Sequence, residues 1–290
     1  MKISSQMVRY YFNLKHWQPN QYQWLRGGEC IQDEERKRIN EFVFKEDSKA
    51  GLIGRLLLRY SISKSMNIPW EKIKLIRTDK GKPIVDLKNS EQNFNTKLAE
   101  IGFNISHNGD FVVAVTDMTP QVGVDVMNVT ERHGDTSKFF DLMTRNFTER
   151  EWGCIKQQVD DDTKMKMFYR HWCLKESFVK AVGKGIGYSL QKLSFEVDSN
   201  SEIKPGQFHT KTKLDIDGIR TNDWFFEESM IDTNHCVAVA TDIKSHYSDG
   251  QTNQPFIEVC FKDFEQCFQC LLPISEDFWL DFDKKLTKGR

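Results

Sequence analysis

Apolar residues recur at helical spacing from Gln32 to Phe44 and from Ser48 to Met66, the second stretch through Leu52, Leu56 and Tyr60. Two helices are predicted there, and Asn67-Ile68-Pro69 ends the second. Lys74 to Thr78, Gly102 to Ser106, Phe111 to Asp117 and Val122 to Met127 are short and rich in β-branched and aromatic residues. They read as strands, with a tight hairpin at Asn108-Gly109. A second helical block opens at Thr148, where Thr148 and Glu151 have the spacing of a capping box. A longer helix then runs from about Lys164 to Val182 and is stopped by Gly183 and Gly185. Strands return at Leu193 to Val197, Trp224 to Ser229 and Cys236 to Asp242, while Ile243 to Pro255 is polar and turn-rich and reads as a linker. The tail beyond it shows no period that places it.

One internal echo stands out. Phe111-Val-Val-Ala-Val-Thr-Asp117 and Cys236-Val-Ala-Val-Ala-Thr-Asp242 each follow a strand and a polar turn containing a His. Each half is expected to end in a similar hairpin, although short apolar strands draw on few residue types and can match by chance. The resulting expectation is an α+β fold of two similar lobes, each a small, mostly antiparallel sheet packed with helices and related by a pseudo-two-fold. The lobes are placed at 1–119 and 120–242, followed by a polar linker and tail at 243–290.

At 290 residues, with 39% hydrophobic and 29% charged residues, the chain has the composition of a soluble globular protein. Its formal net charge of -1 gives no global field for nucleic acid or an anionic membrane, so an anionic ligand must be held by a local cluster. Met1 to Tyr10 lacks the apolar core of a signal peptide, and no stretch is long enough to span a bilayer. An odd number of cysteines, seven, without a secretion signal suggests reduced thiols in the cytosol. Cys267 and Cys270 form a CxxC, but with no second pair or nearby His to complete four ligands they are expected to be thiols rather than a zinc site.

The candidate chemistry is concentrated in four segments. In Trp172-Cys-Leu-Lys175-Glu176-Ser177-Phe-Val-Lys180, spacing of four puts Trp172, Glu176 and Lys180 on one helical stripe, a carboxylate beside an ammonium under an aromatic ring. Val122-Gly123-Val124-Asp125-Val126 is an apolar strand holding one carboxylate, which is costly to bury unless a cation or hydrogen bonds compensate it. Asp125 with Glu176 is a sufficient protein share of a Mg²⁺ site, because that ion keeps water and phosphate oxygens as its other ligands. Arg77-Thr78-Asp79-Lys80-Gly81-Lys82-Pro83 gathers three cations at a glycine-containing turn suited to a phosphate, and Arg38 and Arg59 lie on helices that could converge nearby. Asn104-Ile105-Ser106-His107 closes the strand before the hairpin. Taken singly, each segment has a plain alternative: a surface ion pair, an Asp capping a turn, a solvated basic turn, a packing His.

Together and in this order the segments resemble the 4′-phosphopantetheinyl transferase superfamily, in the larger, two-lobed type found in surfactin synthesis and in animal cytosol. The family's Gly-[Ile/Val]-Asp motif appears as Gly123-Val124-Asp125, and its Trp-x-x-Lys-Glu-[Ser/Ala]-x-x-Lys motif as Trp172 to Lys180. Its Lys-Gly-Lys-Pro and Asn-Ile-Ser-His segments appear as Lys80 to Pro83 and Asn104 to His107, and the resemblance runs from about Arg9 to Asp242. It implies transfer of the phosphopantetheine arm of coenzyme A, a co-substrate, onto a serine of apo acyl carrier protein domains, such as those of fatty acid synthase and aminoadipate-semialdehyde dehydrogenase. Adenosine 3′,5′-bisphosphate would leave. It further implies Mg²⁺ on Asp125 and Glu176, phosphate contacts from Lys180 and His107, and the 3′-phosphate and adenine end held by Arg38 and the turn Arg77 to Lys82. Glu176, directly or through a water, is the nearest candidate base for the serine. A cytosolic monomer with no nucleic-acid or membrane partner is expected. One departure is Met127, where many bacterial members carry a second acidic residue; a water is expected in its place. Two other readings use the same residues: a non-catalytic module that binds coenzyme A or a carrier protein, and a Mg²⁺-dependent phosphodiester or pyrophosphate hydrolase.

Overall fold

The structure is a computed structural model that describes residues 7–86, 101–199, 201–243 and 254–288. Two three-stranded antiparallel units with the same internal order organise it. In the first, β1 (Val8–Asn13) pairs with β5 (Phe111–Asp117), which pairs with β4 (Gly102–Asn108). The short strands β2 (Leu75–Arg77) and β3 (Pro83–Val85) form a separate hairpin between β1 and β4 in the chain. In the second, β6 (Val122–Asn128) pairs with β11 (His235–Asp242), which pairs with β10 (Trp224–Met230). A small sheet of β7 (Leu193–Glu196), β8 (Lys213–Ile216) and β9 (Ile219–Thr221) stands beside it. Each unit packs one helix of 22 residues, α3 (Lys45–Met66) in the first and α6 (Asp161–Val182) in the second. Shorter helices α1 (Gln21–Glu29) and α2 (Asp33–Asn40) precede α3, and α4 (Thr136–Leu142) and α5 (Glu149–Lys156) precede α6.

The echo between the halves falls on the two central strands, β5 and β11, and it has a packing cause. Side chains alternate across a strand. On β5, Val112 and Ala114 face the core under α3, while Val113 and Val115 face the other way. On β11, Cys236, Ala238 and Ala240 face the core under α6, while Val237 and Val239 turn toward Val113 and Val115 and join Val122, Val124 and Val126 of β6 in one cluster. Both faces are buried, so the strands read as continuous apolar runs, with valines where the lobes meet. Side chains stitch β4 to β6 as well: Val124 N donates to Asn104 Oδ1 at 3.2 Å and Asn128 N to Asn108 Oδ1 at 2.7 Å.

Element boundaries move by a few residues from the sequence expectations. The α2 helix ends at Asn40 rather than Phe44, and α3 starts at Lys45, with Glu46 and Asp47 in its first turn, and is ended by left-handed Asn67. The α6 helix starts earlier than Lys164 because Asp160 and Thr163 form a capping box there. The Thr148–Glu151 box caps α5 as expected. In the β4–β5 hairpin Asn108 is still paired, with Phe111, so the two turn residues are Gly109 and Asp110.

The tail closes over the first lobe. Its strand β12 (Ile257–Glu258) lies parallel to β1, and α7 (Phe261–Glu265) and α8 (Asp277–Asp283) insert Phe261, Phe264, Phe278 and Phe282 into the core with Phe12, Trp17, Trp24 and Leu52. The described part of the region read as linker and tail is thus part of that lobe's core; residues 244–253 lie outside the described residues. No helix among the described residues is long and apolar enough to cross a membrane. The seven cysteines are free thiols, with Cys270 exposed and Cys267 half-buried.

Candidate active site

The site begins where β6 meets α6. A Cβ at Gly123 would lie 2.0 Å from Ser177 O and 2.5 Å from Ala181 N, so only glycine lets the strand come this close to the helix. Asp125 shares that face of the strand and thereby meets the turn of α6 that carries Glu176 and Lys180. Lys180 Nζ donates to Asp125 Oδ1 at 2.6 Å and to Ser106 Oγ at 2.8 Å, and Ser106 Oγ donates to the same Oδ1 at 2.7 Å. Both bonds that Asp125 accepts here end on Oδ1. Asp125 Oδ2 is buried and has no partner, and a polar atom left so costs about 1–3 kcal/mol.

Glu176 lies one helical turn before Lys180, and its carboxyl is held above the ordinary glutamate range, first by burial and then by the charge of Asp125, against the pull of Lys180. A carboxylate raised by burial and a neighbouring acid, beside an unpartnered carboxylate oxygen, is a natural seat for a divalent cation. Met127, two residues along β6, lines the same cleft, and among the described residues no group of three or more His, Cys, Asp or Glu side chains forms a metal cluster.

Lys175 belongs to the same motif but points elsewhere. It is fully buried, paired with Glu151 at 2.8 Å, and donates to the carbonyls of Leu190 and Leu193 at 2.8 and 2.7 Å. Its job is to tie α6 to α5 and to the chain before β7. Lys175→Ala leaves Glu151 buried and unpaired, and is expected to cost about 3–5 kcal/mol in urea unfolding; a loss below 1 kcal/mol would show that this pair bears no weight.

The basic side of the cleft comes from the first lobe. Lys80, Gly81, Lys82, Asn104 and Ile105 line a cleft of about 750 Å³ together with Asp125, Glu176 and Lys180. The turn is closed by Thr78 N to Lys82 O at 2.9 Å and by Arg77 Nη1 to Gly81 O at 2.7 Å, with Asp79 exposed at its tip. Lys82 is already engaged, its Nζ donating at 3.1 Å to Ala181 O in the last turn of α6, so it latches the turn to the helix end that Gly183 terminates. Thr78 faces a neighbouring hollow.

Arg59 is not part of this surface. It is completely buried and spends its guanidinium on Ile73 O, Gln32 Oε1 and Glu35. Arg55, one turn earlier on α3, occupies the place expected of it. It has no hydrogen-bond or ion-pair partner among the described residues, and its guanidinium is pulled down to about 10, first by burial and then by Arg77, with Arg38 and Arg59 adding to the effect. Burial followed by Arg38 likewise lowers Arg77. His107 is held below the ordinary histidine range by burial, then by Lys180, with Arg55 adding to the effect. Positive charge therefore runs from Lys180, past a neutral His107, to Arg55, Arg77 and Arg38, a stretch that favours an anionic ligand. Arg55 carries a signal in the sequence: like charges at i and i+4 on one helix are unfavourable, and Glu35 serves only Arg59 of the two.

A two-lobed α+β fold with a carboxylate pair at one end of a cationic cleft defines a class, and comparison with known proteins names it. The model of the 4′-phosphopantetheinyl transferase N-terminal region matches residues 15–119, and that of the 4′-phosphopantetheinyl transferase superfamily matches residues 121–240. The chain belongs to the 4′-phosphopantetheinyl transferase superfamily and is an enzyme of that activity, with coenzyme A and carrier-protein domains as its partners. It is similar to the L-aminoadipate-semialdehyde dehydrogenase-phosphopantetheinyl transferase of Homo sapiens, 39% identical over 288 residues that cover 95% of this chain and 91% of that protein. The protein of the same name from Rattus norvegicus is 44% identical over 284 residues, covering 94% and 89%. The 4′-phosphopantetheinyl transferase Sfp of Bacillus subtilis is 28% identical over 173 residues, covering 60% and 69%.

Proposed function

We propose that the chain transfers phosphopantetheine from coenzyme A to a serine of apo carrier domains of the fatty acid synthase and aminoadipate-semialdehyde dehydrogenase type, with Mg²⁺ held by Asp125 and Glu176 and adenosine 3′,5′-bisphosphate as the leaving product. The observation that carries this is Asp125 Oδ2, buried and unpartnered beside a second carboxylate whose proton affinity is raised. When bound there, the ion would supply positive charge to the pyrophosphate oxygens. Lys180 is oriented by its bonds to Asp125 and Ser106, and its ammonium offsets charge growing on the transferred phosphoryl group. Arg55, Arg77 and Arg38, with Lys80, line the path for the 3′-phosphate and adenine end, and His107, neutral near physiological pH, donates to a phosphate oxygen between them and Lys180. The carrier serine oxygen forms the new P–O bond at the phosphorus next to pantetheine while the pyrophosphate P–O bond breaks. Glu176 takes the serine proton directly or through a water. Cytosolic location and a monomeric state fit free thiols and a lobe interface filled within one chain.

The test is the intact mass of an apo acyl carrier protein incubated with the enzyme, coenzyme A and Mg²⁺, repeated with a chelator. A gain of one phosphopantetheine group that the chelator abolishes is expected. Cleavage of coenzyme A without any carrier would replace transfer by hydrolysis, and no reaction under any condition would leave only a binding module.

A further inference from the structure

The end of the described tail packs against the start of α3. Leu286 bridges Phe44 in parallel, with Lys45 N donating to Leu286 O at 2.8 Å and Leu286 N to Val43 O at 3.2 Å. The backbone N of Lys288 donates to Glu46 at 3.0 Å, its Nζ pairs with Asp47 Oδ1 at 2.6 Å, and the same Nζ stands 5.6 Å from the centre of the Phe44 ring. These residues begin α3, and Asp47, Gly51 and Arg55 follow one another at intervals of four on one face of that helix. Gly51 contributes no side chain between the two charges. Asp47 opposes at His107 the effect of Lys180, Arg55 and Lys288.

We infer that Lys288 is a positioning residue for coenzyme A: by pairing with Asp47 it neutralises a carboxylate at the edge of the cationic path and holds it away from the incoming phosphates. The inference rests on the reading of this cleft as the coenzyme A site. A bare carboxylate facing a polyanion weakens its binding, and the effect is damped by salt because the groups are partly solvated. Helix α3 tolerates Asp47 in its first turn, where negative charge is favourable, so the carboxylate is not itself a folding liability. The clip therefore lets α3 keep an acidic first turn without presenting that charge to the ligand.

Calorimetric titration of the full chain with coenzyme A at low ionic strength tests this. Lys288→Ala is expected to weaken binding roughly three- to tenfold, with less effect at high salt, while kcat at saturating coenzyme A stays within about twofold of wild type. Asp47→Asn added to Lys288→Ala is expected to restore the affinity, which a merely structural clip would not permit. Asp47→Asn alone should bind at least as tightly as wild type. Arg55→Ala is the positive control and should lose more affinity than Lys288→Ala. Unchanged affinity in Lys288→Ala, failure of Asp47→Asn to restore it, or weaker binding by Asp47→Asn alone would each overturn the inference. A wild-type protein that binds no coenzyme A, with Arg55→Ala indistinguishable from it, would overturn the reading of the site and this inference with it.

Discussion

Glu176→Gln is expected to lower phosphopantetheine transfer by about a thousandfold or more, on the order of 4 kcal/mol of transition-state stabilisation, and at the same time to raise the melting temperature of the metal-free protein. The two effects have one cause. Burial and the charge of Asp125 lift the proton affinity of Glu176 in the folded chain above that of an ordinary glutamate, so the folded state holds the proton more tightly than the unfolded state does. The penalty for carrying the ionised form is fully present above the folded pKa and is relieved as pH falls through it. Near neutral pH glutamine removes that penalty while keeping the shape, a gain on the order of 1 kcal/mol. The gain should vanish toward acid pH, where wild type is protonated too. Carrier mass analysis gives the first quantity, and calorimetric melting in chelator at neutral and acidic pH gives the second. Transfer near the wild-type rate would remove Glu176 from the chemistry, and a lower melting temperature at neutral pH would make it a structural partner of Lys180 instead.

What the sequence shows of this site is its two carboxylates and the helix stripe, because each is written in contiguous residues. Gly123-Val124-Asp125 carries its own packing constraint, and the four-residue spacing of Glu176 and Lys180 fixes their common face. The role of Lys175 is not legible in the same way. It sits beside Glu176 in sequence, and only the fold sends it to Glu151 on another helix. The exchange of Arg59 for Arg55 has a similar origin, since both are arginines on one apolar helix and the difference is Glu35, an acid from α2 that satisfies one of them. The Phe111–Asp117 and Cys236–Asp242 echo reflects two central strands buried on both faces, with the faces offset by one residue: Val112 and Ala114 face the helix in one, Cys236, Ala238 and Ala240 in the other. The tail gave no such signal. Phe261, Phe264 and Phe268, and then Phe278 and Phe282, do stand at helical spacing, but over segments too short to place, and what they pack against lies far off in the chain.

Trp24→Ala measures what that distant contact contributes. The Trp24 ring is fully buried and stacks on Phe282 at 3.8 Å and on Phe278 at 5.4 Å, and its Nε1 donates to Phe278 O at 3.0 Å. Removing it leaves a cavity between α1 and α8, and an aromatic deletion in a core costs about 3–5 kcal/mol, a large share of the 5–15 kcal/mol typical of a whole domain. Urea unfolding is expected to show that loss. Because α8 carries the chain to Lys288, loosening it should also open the tail to protease under native conditions and weaken coenzyme A binding in the same direction as Lys288→Ala, although Trp24 touches no part of the cleft. A loss of stability under 1 kcal/mol with the tail still protected would mean that α7 and the β12–β1 pairing hold the tail without α8. In that case the clip at Lys288 would be anchored by its own bonds to Glu46 and Asp47, and its effect on the coenzyme site would be independent of the aromatic core.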